Sequence, residues 1–374
     1  MTPTEDMKVT PYEVSGKIDY EKLIKQFGTQ KLDEPLLNRI KKHTGALHHF
    51  LRRGIFFSHR DMNWLLDEYE KKNKFYLYTG RAPSGETTLG HMIPWLFTKW
   101  LQDKFNVELY FQIPDEEKFL SKKELELKET YRLSKESILD VIALGFNPKK
   151  TKIFIDTDYA KTLYKIAVQV AKKITYSTSK ATFGFNDETN IGLIFYTAMQ
   201  SVPALLKSVQ EKKNIPCLIP LAIDQDPHFR LTRDIAPKLG FYKPAIIHCR
   251  FLPALWGPGK MSSSDPQSTI YVTDDEKTVE HKIKKYAFSG GRDTIEEHRK
   301  LGGNPDIDVS YQYLTFFEED DKKLKKIYDD YKSGKLLTSE LKQITIEKIN
   351  KFLKEHQKRR EKARKNIHKF LVKD

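Results

Sequence analysis

Between about Lys74 and Val272, short apolar runs alternate with longer stretches whose apolar positions recur at helical spacing. Phe75–Thr79, Val107–Ile113, Lys152–Ile155, Cys217–Ala222 and Ala245–His248 read as strands, and Ile93–Phe105, Leu125–Leu144, Tyr159–Ile174 and Phe229–Leu239 as amphipathic helices. Such alternation predicts an α/β unit, a parallel sheet with helices on both faces. The flanks differ. Residues 1–73 mix scattered aromatics with helical patterns such as Tyr20–Phe27, an appended region packing on the core. From about Thr273 the alternation stops and helices take over: Thr278–Ala287, Asp321–Ser333 and a long one from about Ser339. The reading is therefore three units, 1–73, 74–272 and 273–374.

In parallel sheets ligands sit at the carboxyl ends of the strands. The segments to examine are Thr79–His91, Pro114–Lys118, Asp156–Tyr159, Asp224–His228 and the stretch after His248. The first runs from a strand through Gly80, Pro83 and Gly85 into a helical pattern at Gly90-His91. A helix N-terminus offers free N–H groups and the positive end of a dipole, which suits a phosphate, and Arg81 and His91 flank it. The same stretch is equally compatible with an ordinary βα turn, because neither G-x-G-x-x-G nor a P-loop is present. A second unusual stretch, Trp256–Asp265, sets Lys260 beside three hydroxyls on a loop rich in Gly, Pro and Ser. A mobile lysine there can neutralise charge developing on a phosphate chain.

Charge adds a partner class. The 374 residues carry 65 Lys+Arg against 51 Asp+Glu, a formal +14, which favours a polyanion such as nucleic acid over an acidic protein. Half of that excess lies in 351–374, with ten basic and three acidic residues; taken alone, such a run reads slightly better as a solvated face. Cys217 and Cys249 lack C-x-x-C spacing and read as core thiols, with neither a disulfide framework nor a zinc site. Adjacent His48 and His49 would point to different faces of a helix, so no chelate is expected. No apolar run reaches the ~18 residues of a membrane span. The N-terminus is polar, so cytoplasmic placement and no membrane partner are the expectation.

Thr88-Leu89-Gly90-His91 and Lys260-Met261-Ser262-Ser263-Ser264 together resemble the two signatures of class I aminoacyl-tRNA synthetases, the His-Ile-Gly-His and Lys-Met-Ser-Lys-Ser types. More closely, Phe56–Met62, Tyr76–Arg81, Phe97–Asp103, Leu218–Pro227 and Ala287–Arg299 resemble the tryptophanyl-tRNA synthetases of the archaeal and eukaryotic cytosolic kind. The resemblance implies a Rossmann-like, doubly wound catalytic domain, with 273–374 a helical anticodon-binding domain whose last helix packs back on the core. It implies that L-tryptophan is activated with ATP and passed to tRNA(Trp), with Mg²⁺, by a homodimer. Tyr78 and Gln112 would hold the indole N–H, and Glu117, Gln200 and Gln225 the rest of the amino acid. ATP would meet Arg81, Ser84, Gly90, His91, Lys118, Lys260, Met261, Ser262 and Ser264, with His91, Lys118 and Lys260 catalytic and no protein-held metal. Thr88 stands in place of the first signature His, Ser264 in place of the last signature Lys, and Pro114 where a small polar residue is usual. A tyrosine-specific synthetase and a non-catalytic RNA-binding protein on the same fold are the competing readings.

Overall fold

The structure, a computed structural model, describes residues 7–10, 14–16, 18–263 and 265–374. Its frame is a seven-stranded sheet of β1 (Gln30–Lys31), β2 (Phe56–Arg60), β3 (Tyr76–Gly80), β4 (Leu109–Ile113), β5 (Thr151–Ile155), β6 (Cys217–Ala222) and β7 (Ala245–Cys249). The spatial order is β1-β2-β7-β6-β3-β4-β5. The five strands from β3 to β7 run parallel, as their patterns predict. They are buried on both faces, which is why they read as continuous apolar runs rather than as alternation. From β3 the chain winds outward through β4 and β5, then returns to the other side of β3 for β6 and β7. That reversal places a topological switch point between β3 and β6, where an open parallel sheet forms a crevice.

The first 73 residues do more than pack on the core. β2 joins β7 and β1 joins β2, both antiparallel, so this segment extends the same sheet. The periodicity there suggested helices because two of the helical patterns are real, Tyr20–Phe27 and Glu34–Thr44, while β1 has only two residues.

Four helices position the crevice: α1 (Leu89–Phe105), α2 (Asp115–Ser121), α3 (Leu127–Ala143) and α4 (Ala160–Ala171). Three more, Tyr176–Phe183, α5 (Ile191–Met199) and Pro203–Glu211, fill a stretch to which the periodicity assigned no element. After residue 273 the elements are helical, ending in α6 (Thr338–Arg364). α6 lies against α3, where Arg360 Nε donates to Asp140 Oδ1 at 2.8 Å and His356 lies 3.3 Å from the same oxygen. The tail beyond α6 covers the free edge of β5, with Ile153 N donating to Phe370 O and Val372 N to Ile153 O. Both cysteines are buried.

Candidate functional site

At the end of β3 the backbone comes so close to β4 that a Cβ on Gly80 would lie 2.6 Å from Gln112 O. Arg81 follows and is buried. Its guanidinium donates to Thr87 Oγ1 (3.2 Å), Gly85 O (2.7 Å), Glu86 O (2.9 Å) and the Ser137 hydroxyl of α3. The turn between strand and helix is thus wrapped around Arg81.

Thr88 is the N-cap of α1. Its backbone N–H donates to His91 Nδ1 at 3.1 Å. A ring nitrogen that accepts cannot carry the proton, so the neutral imidazole holds its hydrogen on Nε2 as a donor. Burial, and then the charges of Arg81, Lys260 and Lys118, push His91 well below the ordinary histidine pKa, which keeps it neutral. The residue that replaces the first signature His therefore fixes the tautomer of the second through its backbone. The corner is also stitched to the segment following the lysine loop, with Leu89 N donating to Ile270 O (3.0 Å) and Val272 N to Thr87 O (2.9 Å).

A cavity of about 220 Å³ opens at the switch point. It is lined by Tyr78, Arg81, Gly90, His91, Gln112, Glu117, Lys118, Gln200, Gln225, Lys260 and Met261, which the sequence analysis had named from five separate segments. Ser84 and Ser262 are not among the lining residues. Ser264 lies outside the described residues.

One group of lining residues forms a hydrogen-bonded chain. The Tyr196 hydroxyl, with one hydrogen to give, lies between two acceptors, Gln200 Oε1 and, at 3.2 Å, Glu117 Oε2. Gln200 Nε2 donates to the Tyr78 hydroxyl (2.9 Å), which donates to Gln112 Oε1 (2.5 Å). Gln112 Nε2 donates to Asp156 Oδ2 (2.7 Å). Glu117 pairs with Lys118 at 2.7 Å. Burial works to raise the Glu117 pKa, but Lys118 and His228, with hydrogen bonds from Lys118 and Tyr196, outweigh it and hold the carboxylate ionised. The second group is cationic or a neutral donor: Lys118, Lys260, Arg81 and His91. Lys260 Nζ sits 2.5 Å from Asp224 Oδ2, to which Gln225 Nε2 also donates at 3.2 Å. The cavity thus combines acceptors and an ionised carboxylate, which suit an amino acid, with a cluster of cations, which suits phosphates.

Sequence reasoning missed Asp156, Asp224, Tyr196 and Ser137. Asp156 and Asp224 stand in the segments that follow β5 and β6, so the strand-end rule pointed at them without giving them a role. Tyr196 lies on α5, a helix the periodicity did not separate from its surroundings. A further cluster, Ser58, His248 and Asp226, has the residue types of a nucleophilic triad, with Ser58 Oγ 3.0 Å from His248 Nδ1 and His248 Nε2 2.9 Å from Asp226 Oδ1. Ser58 and His248 are wholly buried, and Arg60 clamps Asp226 through both oxygens, so the cluster holds β2, β7 and the Asp224–Asp226 turn together.

Two signature corners sharing one switch-point cavity define a nucleotide-dependent amino-acid-activating enzyme of class I. Residues 70–354 match the family described as tRNA synthetases class I (W and Y), and the chain belongs to it. Within it the chain resembles the tryptophan–tRNA ligase of Saccharolobus solfataricus, with 57% identity over 98% of this chain and 95% of that one. The cytoplasmic tryptophan–tRNA ligase of Homo sapiens is 52% identical over 99% of this chain and 82% of its own length. Among solved structures, the tryptophanyl-tRNA synthetase of Plasmodium falciparum superposes with a TM-score of 0.89 at 45% identity, covering 94% of this chain and 97% of its own. That of Encephalitozoon cuniculi, described as bound to tryptophan, gives 0.88 at 39% identity, covering 95% and 98%.

Proposed function

We infer that the chain is a tryptophan–tRNA ligase. It activates L-tryptophan with ATP and transfers the amino acid to the 3′ end of tRNA(Trp). The observation that carries the reading is the cavity itself, in which the Tyr78–Gln112 pair and the His91 and Lys260 signatures share one space. Relatives of this length and identity that are named for tryptophan support it.

In the first step a tryptophan carboxylate oxygen attacks the α-phosphorus of ATP, the bond to the bridging oxygen breaks, and pyrophosphate leaves. No side chain becomes covalently modified, so catalysis is positioning and electrostatics. In this reading Tyr78 and Gln112 accept from the indole N–H, Glu117 takes the α-ammonium, and Gln200 and Gln225 orient the substrate. His91 Nε2–H, Lys118 and Lys260 offset charge on the phosphates. Gly90, Met261, Ser262, Ser264 and Ser84 belong to the ATP side as backbone or loop contacts. Arg81, with its outer nitrogens occupied by the turn, serves ATP by holding that turn. Among the described residues no group of three His, Cys, Asp or Glu is placed to hold a metal; in this reading Mg²⁺ enters with ATP as part of the substrate. In the second step a terminal ribose hydroxyl of tRNA attacks the aminoacyl carbonyl and AMP leaves. Residues 273–374 form the tRNA-gripping domain of this proposal, beside 1–73 and 74–272.

A homodimer is the proposed assembly. Tyr164 and Val168 on α4 and Ile191 at the start of α5, a helix packed against α4, are exposed apolar side chains that a second copy would cover. Sedimentation at micromolar concentration tests it. Among the described residues no helix is long and apolar enough to cross a membrane, and cytoplasmic placement is proposed. The decisive experiment is ATP–pyrophosphate exchange with each amino acid in turn. Exchange with tryptophan alone is expected; exchange with tyrosine instead would reassign the substrate, and none at all would leave an RNA-binding role.

A further inference from the structure

The hydrogen-bonded chain beside the cavity has a direction. Tyr196 donates to Gln200, Gln200 to Tyr78, Tyr78 to Gln112, and Gln112 to Asp156, so every donor points the same way and Asp156 Oδ2 is the terminal acceptor. The Gln200 amide, the Tyr78 hydroxyl and the Gln112 amide are each engaged on both sides, so reversal of one of their links has to pass along the others. The consequence falls on the cavity. With this direction, the Tyr78 hydrogen and one hydrogen of the Gln112 amide are engaged within the chain, and both residues keep oxygen lone pairs for a ligand. In the opposite direction, Gln112 would turn its NH₂ toward Tyr78 and the cavity would present donors to an indole N–H.

We propose that Asp156 is a positioning residue for amino-acid selection: with Glu116 behind it, it draws the Gln112 NH₂ to its own side, so that the Gln112 and Tyr78 oxygens are the acceptors set for the indole nitrogen. This rests on the tryptophan reading given above.

The surroundings of Asp156 explain why it can act only as an acceptor toward Gln112. It is buried at the end of β5, and the Glu116 carboxyl of α2 lies within hydrogen-bonding reach. Asp156 Oδ1 and Glu116 Oε2 are both buried, and neither has a protein donor among the described residues. Two buried carboxyl groups this close do not both ionise, so the pair retains a proton, while the Gln112 amide donates to Asp156 from the other side. Burial raises the pKa of both groups, Asp156 to about 8, with the charge of Asp115 adding to the rise and the Gln112 hydrogen bond opposing it. Oδ2 receives the Gln112 Nε2–H at 2.7 Å and is the acceptor of that contact.

The test compares tryptophan with its benzothienyl analogue, 3-(benzothiophen-3-yl)alanine, in which sulfur replaces the N–H. The readout is the ratio of kcat/KM in pyrophosphate exchange for the full-length protein. Asp156→Asn keeps an acceptor toward Gln112 and supplies an N–H toward Glu116, so the ratio should stay within about threefold of the parent. Asp156→Val removes the acceptor, and the ratio should fall by at least about tenfold, chiefly through KM for tryptophan, because buried acceptors matched to an N–H are what reject its analogue. A purely structural residue would lower kcat for both substrates and leave the ratio in place. Should Asp156→Val fail to fold, Asp156→Ser takes its place: its hydroxyl can donate as well as accept, the direction is released, and the same fall is expected. Parent exchange with tryptophan together with an unmoved ratio in the valine or serine variant overturns this inference alone. Absence of tryptophan-dependent exchange in the parent overturns the functional reading and this inference with it.

Discussion

Lys260 Nζ is held 2.5 Å from Asp224 Oδ2, a carboxylate whose side chain is 1% exposed. The loop lysine is thus parked on a buried acid within the cavity. To reach a triphosphate it has to exchange one anion for another, a swap of ion pairs rather than a desolvation from bulk water. Replacing Lys260 with Ala should lower kcat for pyrophosphate exchange by about a hundredfold, the usual loss when one preorganised charge is removed from a reacting phosphate. Tryptophan binding, followed by quenching of intrinsic fluorescence, should be unchanged. Exchange at the parental rate would remove the loop from the mechanism.

Gly80 is the point where β3 and β4 touch. A methyl group there would stand 2.6 Å from Gln112 O, a backbone atom that cannot move without its strand. Gly80→Ala should therefore displace the end of β4 that carries Gln112 and raise KM for tryptophan by about tenfold, in keeping with the 1–3 kcal/mol cost of overpacking. KM for ATP should change less. Equal changes in the two would mean that the strand ends move as a unit and the site as a whole is loosened.

His59, 2% exposed, has its pKa lowered to about 4 by burial first and the neighbouring His248 second. In the unfolded chain it titrates near 6.5, so below that pH the unfolded state binds a proton that the folded state refuses. Its contribution is fully present above pH 6.5 and is lost as pH falls toward 4, a change of about 3 kcal/mol over the window. Because Asp156 and Glu116 have raised pKa values and act in the opposite sense, the contribution is best read by difference. The parent and a His59→Gln variant should converge in urea-unfolding stability between pH 7 and 4.5. Parallel curves would mean that His59 takes up its proton without cost.

The parallel strands were legible because burial on both faces leaves an unbroken apolar signature, and the strand-end rule then pointed to the right segments. What the chain did not display was contact between segments. Nothing local tells that Gln112 Nε2 reaches Asp156, or that Lys260 rests on Asp224, because each pair joins different strands. Arg81 illustrates the limit best. Its position beside the glycine turn suggests a phosphate ligand, and only the fold reveals that Gly85, Glu86, Thr87 and Ser137 surround its guanidinium. The short strand β1 was missed because two residues carry no period. The helices between 176 and 211 were missed because each has nine residues or fewer.

The basic run from 351 to 374 divides once its burial is known. Arg360 is 9% exposed and bound to Asp140 and Glu136, so it belongs to the contact between α6 and α3. Lys358, Arg359 and Lys362, by contrast, are exposed and form no ion pair among the described residues. A tRNA phosphate contact requires that second kind of residue. Changing Lys358, Arg359 and Lys362 together to Ala should lower kcat/KM for tRNA charging and flatten its dependence on salt by about 0.7–0.9 per lost contact. Pyrophosphate exchange, which needs no tRNA, should be untouched. Arg360→Ala should behave in the opposite way: it strands a buried Asp140 and should destabilise the fold by about 3 kcal/mol, so that thermal unfolding shifts while the salt slope of charging stays put. Should the triple variant charge tRNA normally at every salt concentration, these three residues of α6 would be a solvated face, and the RNA-gripping surface would have to be sought on the other helices after residue 273.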